Sequence, residues 1–370
     1  MKKCILLLSL LSLALTFISC KKDPKEQTVE ADRGPLLVHL SEKVILPRLD
    51  SLSIAMDELS IAYNTFSSSK TIANLNSVRV AYHHAILAWE GVASLNYGPQ
   101  NVYSLNTANI NVFPIDTILI LTNIKQNKTN FSTSTAPSYS GFQALDYLFY
   151  GNKYDAQRVV DSFLIQTNRA AYTLALINDL KQRVQKAKQS WSPSGSNFLS
   201  SFQNSKGLDI GSSFSAYVNM LVYDLEVVKN YKVGIPVGII NNVLTDPQET
   251  FPLKAEGCFS DFSMSLIKQS ILDDYQMYLG AAADDSLGMD SYLRSIQQTD
   301  LANRINNQWQ VVISITNQLN TSMEYTLSNS TELTKLTQLH AELVTLVALI
   351  KVDGASALGI SIYYADNDGD

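Results

Sequence analysis

Residues 141–151 read GFQALDYLFYG, a glycine-bounded segment whose spacing predicts one short helix. Phe142, Leu145 and Phe149 fall on one face at i, i+3, i+7, and Gln143, Asp146, Tyr147 and Tyr150 fall on the face beside it. A core helix usually keeps its second face plainly charged or plainly apolar. This one offers an amide, a carboxylate and two phenols. Gln143 and Asp146 stand at i, i+3 and so share one side, the arrangement by which a helix presents two ligands to one ion. Both offer oxygen only, which suits a hard cation or a hydrogen-bonded ligand better than zinc. The same spacing describes a polar network closing a seam between helices, and the residues alone leave both readings open.

The helical period continues on either side. From Leu36, apolar residues recur at Leu40, Val44, Leu49, Leu52, Leu59, Ala62 and Phe66, with Pro47 expected to kink the run. A second stripe follows at Leu75, Val78, Tyr82, Ile86 and Trp89, and helices are expected at 115–125 and 155–189. Residues 190–207, SWSPSGSNFLSSFQNSKG, have the composition of a linker. Beyond them Phe214, Val218, Leu221, Leu225 and Val228 form a stripe that ends in the turn-rich KVGIPVG. Three more follow: one from Phe262 to Leu279, one on Leu301, Ile305, Trp309, Val312 and Leu319, and one on Leu333, Leu336, Leu339, Leu343 and Val344. Strand-like alternation is confined to the tail GISIYYADNDGD. These patterns predict an all-α protein of two packed helical-bundle domains, residues 35–195 and 196–370.

Composition narrows the function classes. Of 370 residues, 46% are apolar and 17% charged, enough to bury a sizeable core. The net charge of −6 excludes the basic footprint that a nucleic-acid partner requires. Residues 1–20, MKKCILLLSLLSLALTFISC, place Lys2 and Lys3 before an apolar run too short to span a membrane. This resembles a bacterial lipoprotein signal: residues 1–19 removed, Cys20 lipidated, and 20–34 a flexible tether. An ordinary secretory signal with an incidental Cys20 is the other reading. With Cys4 removed and Cys20 acylated, only Cys258 remains, so no intrachain disulfide is expected.

Other chemistry-bearing residues give weaker signals. His39, His83, His84 and His340 make no close pair at metal-ligand spacing. His83 and Glu90 share a helix face but stand two turns apart, roughly 10 Å by helix rise, too far to hold one ion unaided. Cys258 reads as a small core residue rather than a nucleophile. DNDGD, residues 366–370, starts like a calcium loop but lacks the bidentate acid that such a loop needs.

GFQALDYLFYG resembles the G-x-H-x-x-E-Y-L-L-x-G segment of the imelysin family, bacterial envelope proteins named for an insulin-cleaving metallopeptidase. Further landmarks follow in the family's order. AYHHAILAWEGVASLNYGP (81–99) is similar to its Trp-containing helix, and NINVFPID (109–116) to its Asn…Pro…Asp link. YKVGIPVGI (231–239) and KAEGCFSDFS (254–263) are similar to segments around a Glu and a Ser in its second half, and LGISIYYADNDGD to its tail. The resemblance spans about residues 35–370. It implies two helical bundles, a role in iron uptake, and iron or another divalent metal as the ligand. The family's His is Gln143 here and its Glu is Asp146; an amide is the poorer ligand for borderline metals, and Asp reaches less far.

The expected ligand-binding residues are therefore Gln143, Asp146, Trp89 and Glu256, with Gln143 and Asp146 the expected metal contacts and no catalytic residue. The expected protein is a non-enzymatic binding or accessory component of iron or haem-linked uptake in the cell envelope. As an outer-membrane lipoprotein it would face the periplasm or the outside, held to the membrane through lipid on Cys20 and working with iron-uptake components. The alternatives are a metallopeptidase that recruits His83 and Glu90, and a structural lipoprotein whose site only packs.

Overall fold

The computed structural model describes residues 32–240, 249–281 and 287–363; the signal segment, Cys20 and the DNDGD end lie outside the described residues. Among the described residues every regular element is helical. The framework consists of α1 (Leu46–Ser68), α2 (Ile72–Ala93), α3 (Gly141–Tyr150), α4 (Thr167–Trp191), α5 (Ser213–Val227), α6 (Ser263–Leu279), α7 (Thr299–Thr316) and α8 (Ser330–Ala348). In the first bundle α1 packs on α2 and α4, and α3 lies against α2 and α4. In the second α6 packs on α5 and α7, and α7 on α8. The contact of α2 with α6 joins the two.

Local sequence accounts for most boundaries. Helix α2 starts where Thr71 accepts the Asn74 N–H at 3.2 Å, and its stripe from Leu75 to Trp89 is wholly buried. Just before Pro47, where a kink was expected, the helix leaves regular α geometry. Pro47 sits in the first turn of α1, directly after a π-helical stretch, Leu40–Ile45, so the wider turn absorbs the missing N–H and the ring's bulk.

Three expectations need correction. The helix expected over 155–189 is two, Ala156–Ile165 and α4, because the backbone opens at Gln166. The break turns Arg169 inward, where it donates to Leu148 O at 3.3 Å. The linker composition at 190–207 conceals a packed helix, Phe198–Asn204. Phe202 is buried there, and Phe198 sets its edge against Trp191 at 5.0 Å. The alternating tail forms no strand among its described residues. Instead the Asn219 side chain on α5 donates to Ser361 O at 3.0 Å and accepts from Tyr363 N at 3.0 Å. A single amide does there what a partner strand would otherwise do.

The core is continuous through both bundles, with aromatic centres in each. In the first, Tyr63, Phe66, Phe149 and Phe163 pack together, Phe66 and Phe163 edge-on at 5.0 Å. In the second, Trp309 lies 5.4 Å from Tyr275 and 6.3 Å from Tyr278. Trp309 is fully buried, so Trp309→Ala should lower unfolding stability by about 3–5 kcal/mol. Denaturant titration at unchanged m-value checks this; a loss under about 1 kcal/mol would contradict the core position.

Candidate functional site

Helix α3 is buried from Gly141 through Phe149, so its polar residues must find partners inside the protein. Its start depends on glycine. Gly141 has φ +75°, and a Cβ there would meet Ile110 O at 2.1 Å. That close approach brings the turn carrying Asn111 against the first turn of α3. At the other end, Arg79 of α2 donates to Phe149 O at 3.0 Å and Arg169 reaches Leu148 O, satisfying terminal carbonyls of α3.

Gln143 uses both ends of its amide. Nε2 donates to Asn111 Oδ1 at 2.8 Å, and Oε1 accepts from Gly257 N at 2.9 Å. One turn further on, Asp146 Oδ2 accepts from Phe259 N at 3.0 Å and Ser260 N at 3.3 Å. The side that offers two oxygens thus holds the backbone of the segment 255–262. Burial pushes the Asp146 carboxyl up to about 6, opposed by its bonds to that segment, and among the described residues its Oδ1 has no hydrogen-bond partner. Tyr147 packs edge-on against Phe259 at 5.3 Å, and Tyr150 Oη bonds His83 Nε2 at 3.0 Å.

The segment leads inward to a buried ion cluster. Glu256 accepts from Asn111 Nδ2, and its Oε2 lies 2.9 Å from Lys232 Nζ. Lys232 also pairs with Glu90 and donates to Ser270 Oγ at 2.8 Å, while Ser270 donates to Glu90 at 2.6 Å. Burial disfavours the ammonium, but Glu256 and Glu90 outweigh it and hold Lys232 charged, above the ordinary lysine range. Burial, then the charge of Glu256, pushes Glu90 upward. Lys232 lies in the π-helical stretch Val228–Gly234 that continues α5, where a turn-rich end had been expected. Its wider turn presents Lys232 to α2 and α6 together.

Of the expected ligand-binding residues, Gln143 and Asp146 bind the segment 255–262, to which Glu256 itself belongs. Trp89 does not join them: it is fully buried and stacks on Phe142 at 5.8 Å. His83 and Glu90 have separate partners. The His83 ring lies parallel to Phe262 at 3.8 Å, and burial lowers its pKa to about 4, so it is neutral. Among the described residues no three His, Cys, Asp or Glu side chains are placed to hold a metal ion. Asn111, Lys232 and Ser270 were missed, although Lys232 extends the apolar stripe of α5 at i+4 from Val228 and a lysine there was a legible signal.

The outer side of the same segment faces a cavity of about 640 Å³. Its walls include Pro114, Ile115, Cys258, Phe259 and Met323. At its rim Lys153 bridges Asp261 at 2.9 Å and Glu324 at 2.5 Å. Burial raises the Cys258 thiol to about 12, keeping it protonated.

The arrangement is that of an all-α protein with an ion-paired core beside a ligand-sized cavity. The imelysin family model, named as peptidase M75, matches residues 45–350, and the chain belongs to that family. Two solved structures share the fold. One, described as a putative iron-regulated protein A precursor from Parabacteroides distasonis ATCC 8503, aligns with TM-score 0.69 and 16% identity over 86% of this chain and 93% of its own. The other, an imelysin-like protein from Psychrobacter arcticus 273-4, gives 0.67 and 16% over 90% and 97%. Comparison with curated proteins finds no match.

Lys232→Met should cost about 3–5 kcal/mol, because it strands Glu90 and Glu256 without their cation. Chemical denaturation of the two proteins side by side checks this; equal midpoints would show the cluster to be energetically idle.

Proposed function

We propose that the protein is a non-enzymatic envelope protein that binds iron in complexed form as part of its uptake, anchored through lipid on Cys20. The observation that carries this reading is the state of the Gln143 and Asp146 row. A metallopeptidase of the family's named type needs metal ligands and a base beside an activated water. Gln143 has both amide ends engaged, Asp146 Oδ1 lacks a partner among the described residues, and the neighbouring acid Glu256 faces Lys232. That donor set does not fit a catalytic metal. The cavity against Phe259 and Cys258, by contrast, has the size of a small-molecule site. An iron chelate or haem suits it better than a bare ion, because the donors for a bare ion do not converge. The structural neighbour from Parabacteroides distasonis, described as iron-regulated, supports the link to iron. An extracytoplasmic place agrees with the leader-like residues 1–19.

Calorimetric titration with ferrous ion, zinc, a ferric chelate and haem tests the reading. Binding of the chelate or haem at about 1 μM or tighter, about −8 kcal/mol, is expected, together with slower alkylation of Cys258 when it is bound. Metal-dependent peptide hydrolysis that disappears in Asp146→Ala would overturn the non-enzymatic reading. Absence of any iron species bound would leave the structural reading in its place. Separately, Cys20→Ala should move the protein out of the membrane fraction, and normal membrane retention would contradict the anchor.

A further inference from the structure

Two more acids stand in the joint around Lys232. Asp224 on α5 and Asp274 on α6 belong to packed helices, are 1% and 0% exposed, and face each other within hydrogen-bonding reach. Among the described residues no N–H or O–H group donates to Asp224 Oδ1 or to either oxygen of Asp274. Two ionised carboxylates so placed would repel each other with none of these oxygens stabilised. Like charges at this range do not both ionise. A single proton between them removes the repulsion and supplies the missing donor.

We propose that Asp224 and Asp274 form a buried acid pair that keeps one shared proton at neutral pH, and that losing this proton loosens the joint between the bundles.

The surroundings carry more negative than positive charge among the described residues. Helix α1 contributes Arg48, which donates to Gly91 O at 3.1 Å and Asp273 O at 2.6 Å and lies 3.8 Å from Asp273 Oδ1. Helix α2 contributes Glu90, the segment 255–262 contributes Glu256, and the π-helical stretch contributes Lys232. Helix α5 adds the Tyr217 hydroxyl, which donates to Met277 O at 2.9 Å, and α6 itself adds Asp273, which accepts from Gln269 at 3.0 Å. Among the described residues, the cations acting on Asp224 and Asp274 are therefore Lys232 and Arg48, which also serve Glu90, Glu256 and Asp273.

The direction of the pH effect follows. Burial lifts Asp224 to about 6, with Lys232 opposing, and burial lifts Asp274 well above the ordinary aspartate value. In the unfolded chain both titrate near about 3.9. The folded protein thus holds the extra proton from about pH 4 upward. Its contribution to stability is complete below that value and is lost as pH rises through the raised values. The joint tightens on mild acidification.

Proton uptake and release on thermal unfolding, measured in buffers of different ionisation enthalpy, tests this on the full chain with Asp274→Asn alongside. Near neutral pH the wild type should release about one proton more than the variant on unfolding. Its infrared spectrum should show an un-ionised carboxylic acid band that weakens in the variant. Its melting temperature should fall between about pH 5 and pH 8 by more than the variant's does. Equal proton release with equal pH slopes would overturn the proposal. Should Asp274→Asn fail to fold, Asp224→Asn removes the same proton, and a wild type without an acid band at neutral pH would overturn it without either variant.

Discussion

An ammonium group with 3% of its side chain exposed has to be surrounded by oxygen, and for Lys232 that oxygen comes from three separate parts of the chain. Glu90 comes from α2, Ser270 from α6, and Glu256 from the segment that α3 holds in place. Taking a lysine and two carboxylates out of water is costly, and the cost is offset only when each group sits within bonding distance of another. The cluster therefore ties the bundles together at a fixed geometry. The helices pack apolar stripes that tolerate some sliding; the ion cluster does not.

That constraint decides what the motif on α3 does here. Gln143 reaches Glu256 through Asn111, and it binds Gly257 directly. Asp146 takes the next two backbone donors of the segment. An amide serves this purpose well because it accepts from one neighbour while donating to another. A neutral imidazole also offers one donor and one acceptor, but in a ring of different reach. On the opposite side of the segment lie Cys258 and Phe259 and the cavity, so whatever fills the cavity touches the same backbone that α3 holds.

The periodic parts of the structure were legible in the sequence because burial and helical spacing coincide there. The stripe from Leu75 to Trp89, the glycine-bounded α3 and the all-α class follow from apolar positions alone. What spacing could not supply was long-range polar pairing: Asn111 with Gln143, or Lys232 with Glu256, joins residues far apart in the chain. Local conformation overrode composition in several places. A π-helical stretch carries α5 into KVGIPVG before the turn at Gly238, and another runs up to Pro47. The Ser-rich 190–207 packed because Trp191, Phe198 and Phe202 supplied apolar area that its composition obscured. Trp89 was read as core and also as a ligand contact, and it packs in the core against Phe142.

The central claim is that Gln143 Oε1 and Asp146 Oδ2 are committed to the backbone of the segment 255–262. Residue-resolved amide hydrogen exchange measures this directly in the unliganded protein. The account predicts that the amides of Gly257, Phe259 and Ser260 are protected to a degree approaching those in the middle of α2, despite lying outside any regular helix. Exchange of these amides at the rate of an exposed loop would contradict it, and would return Gln143 and Asp146 to the solvent-facing role of a binding row.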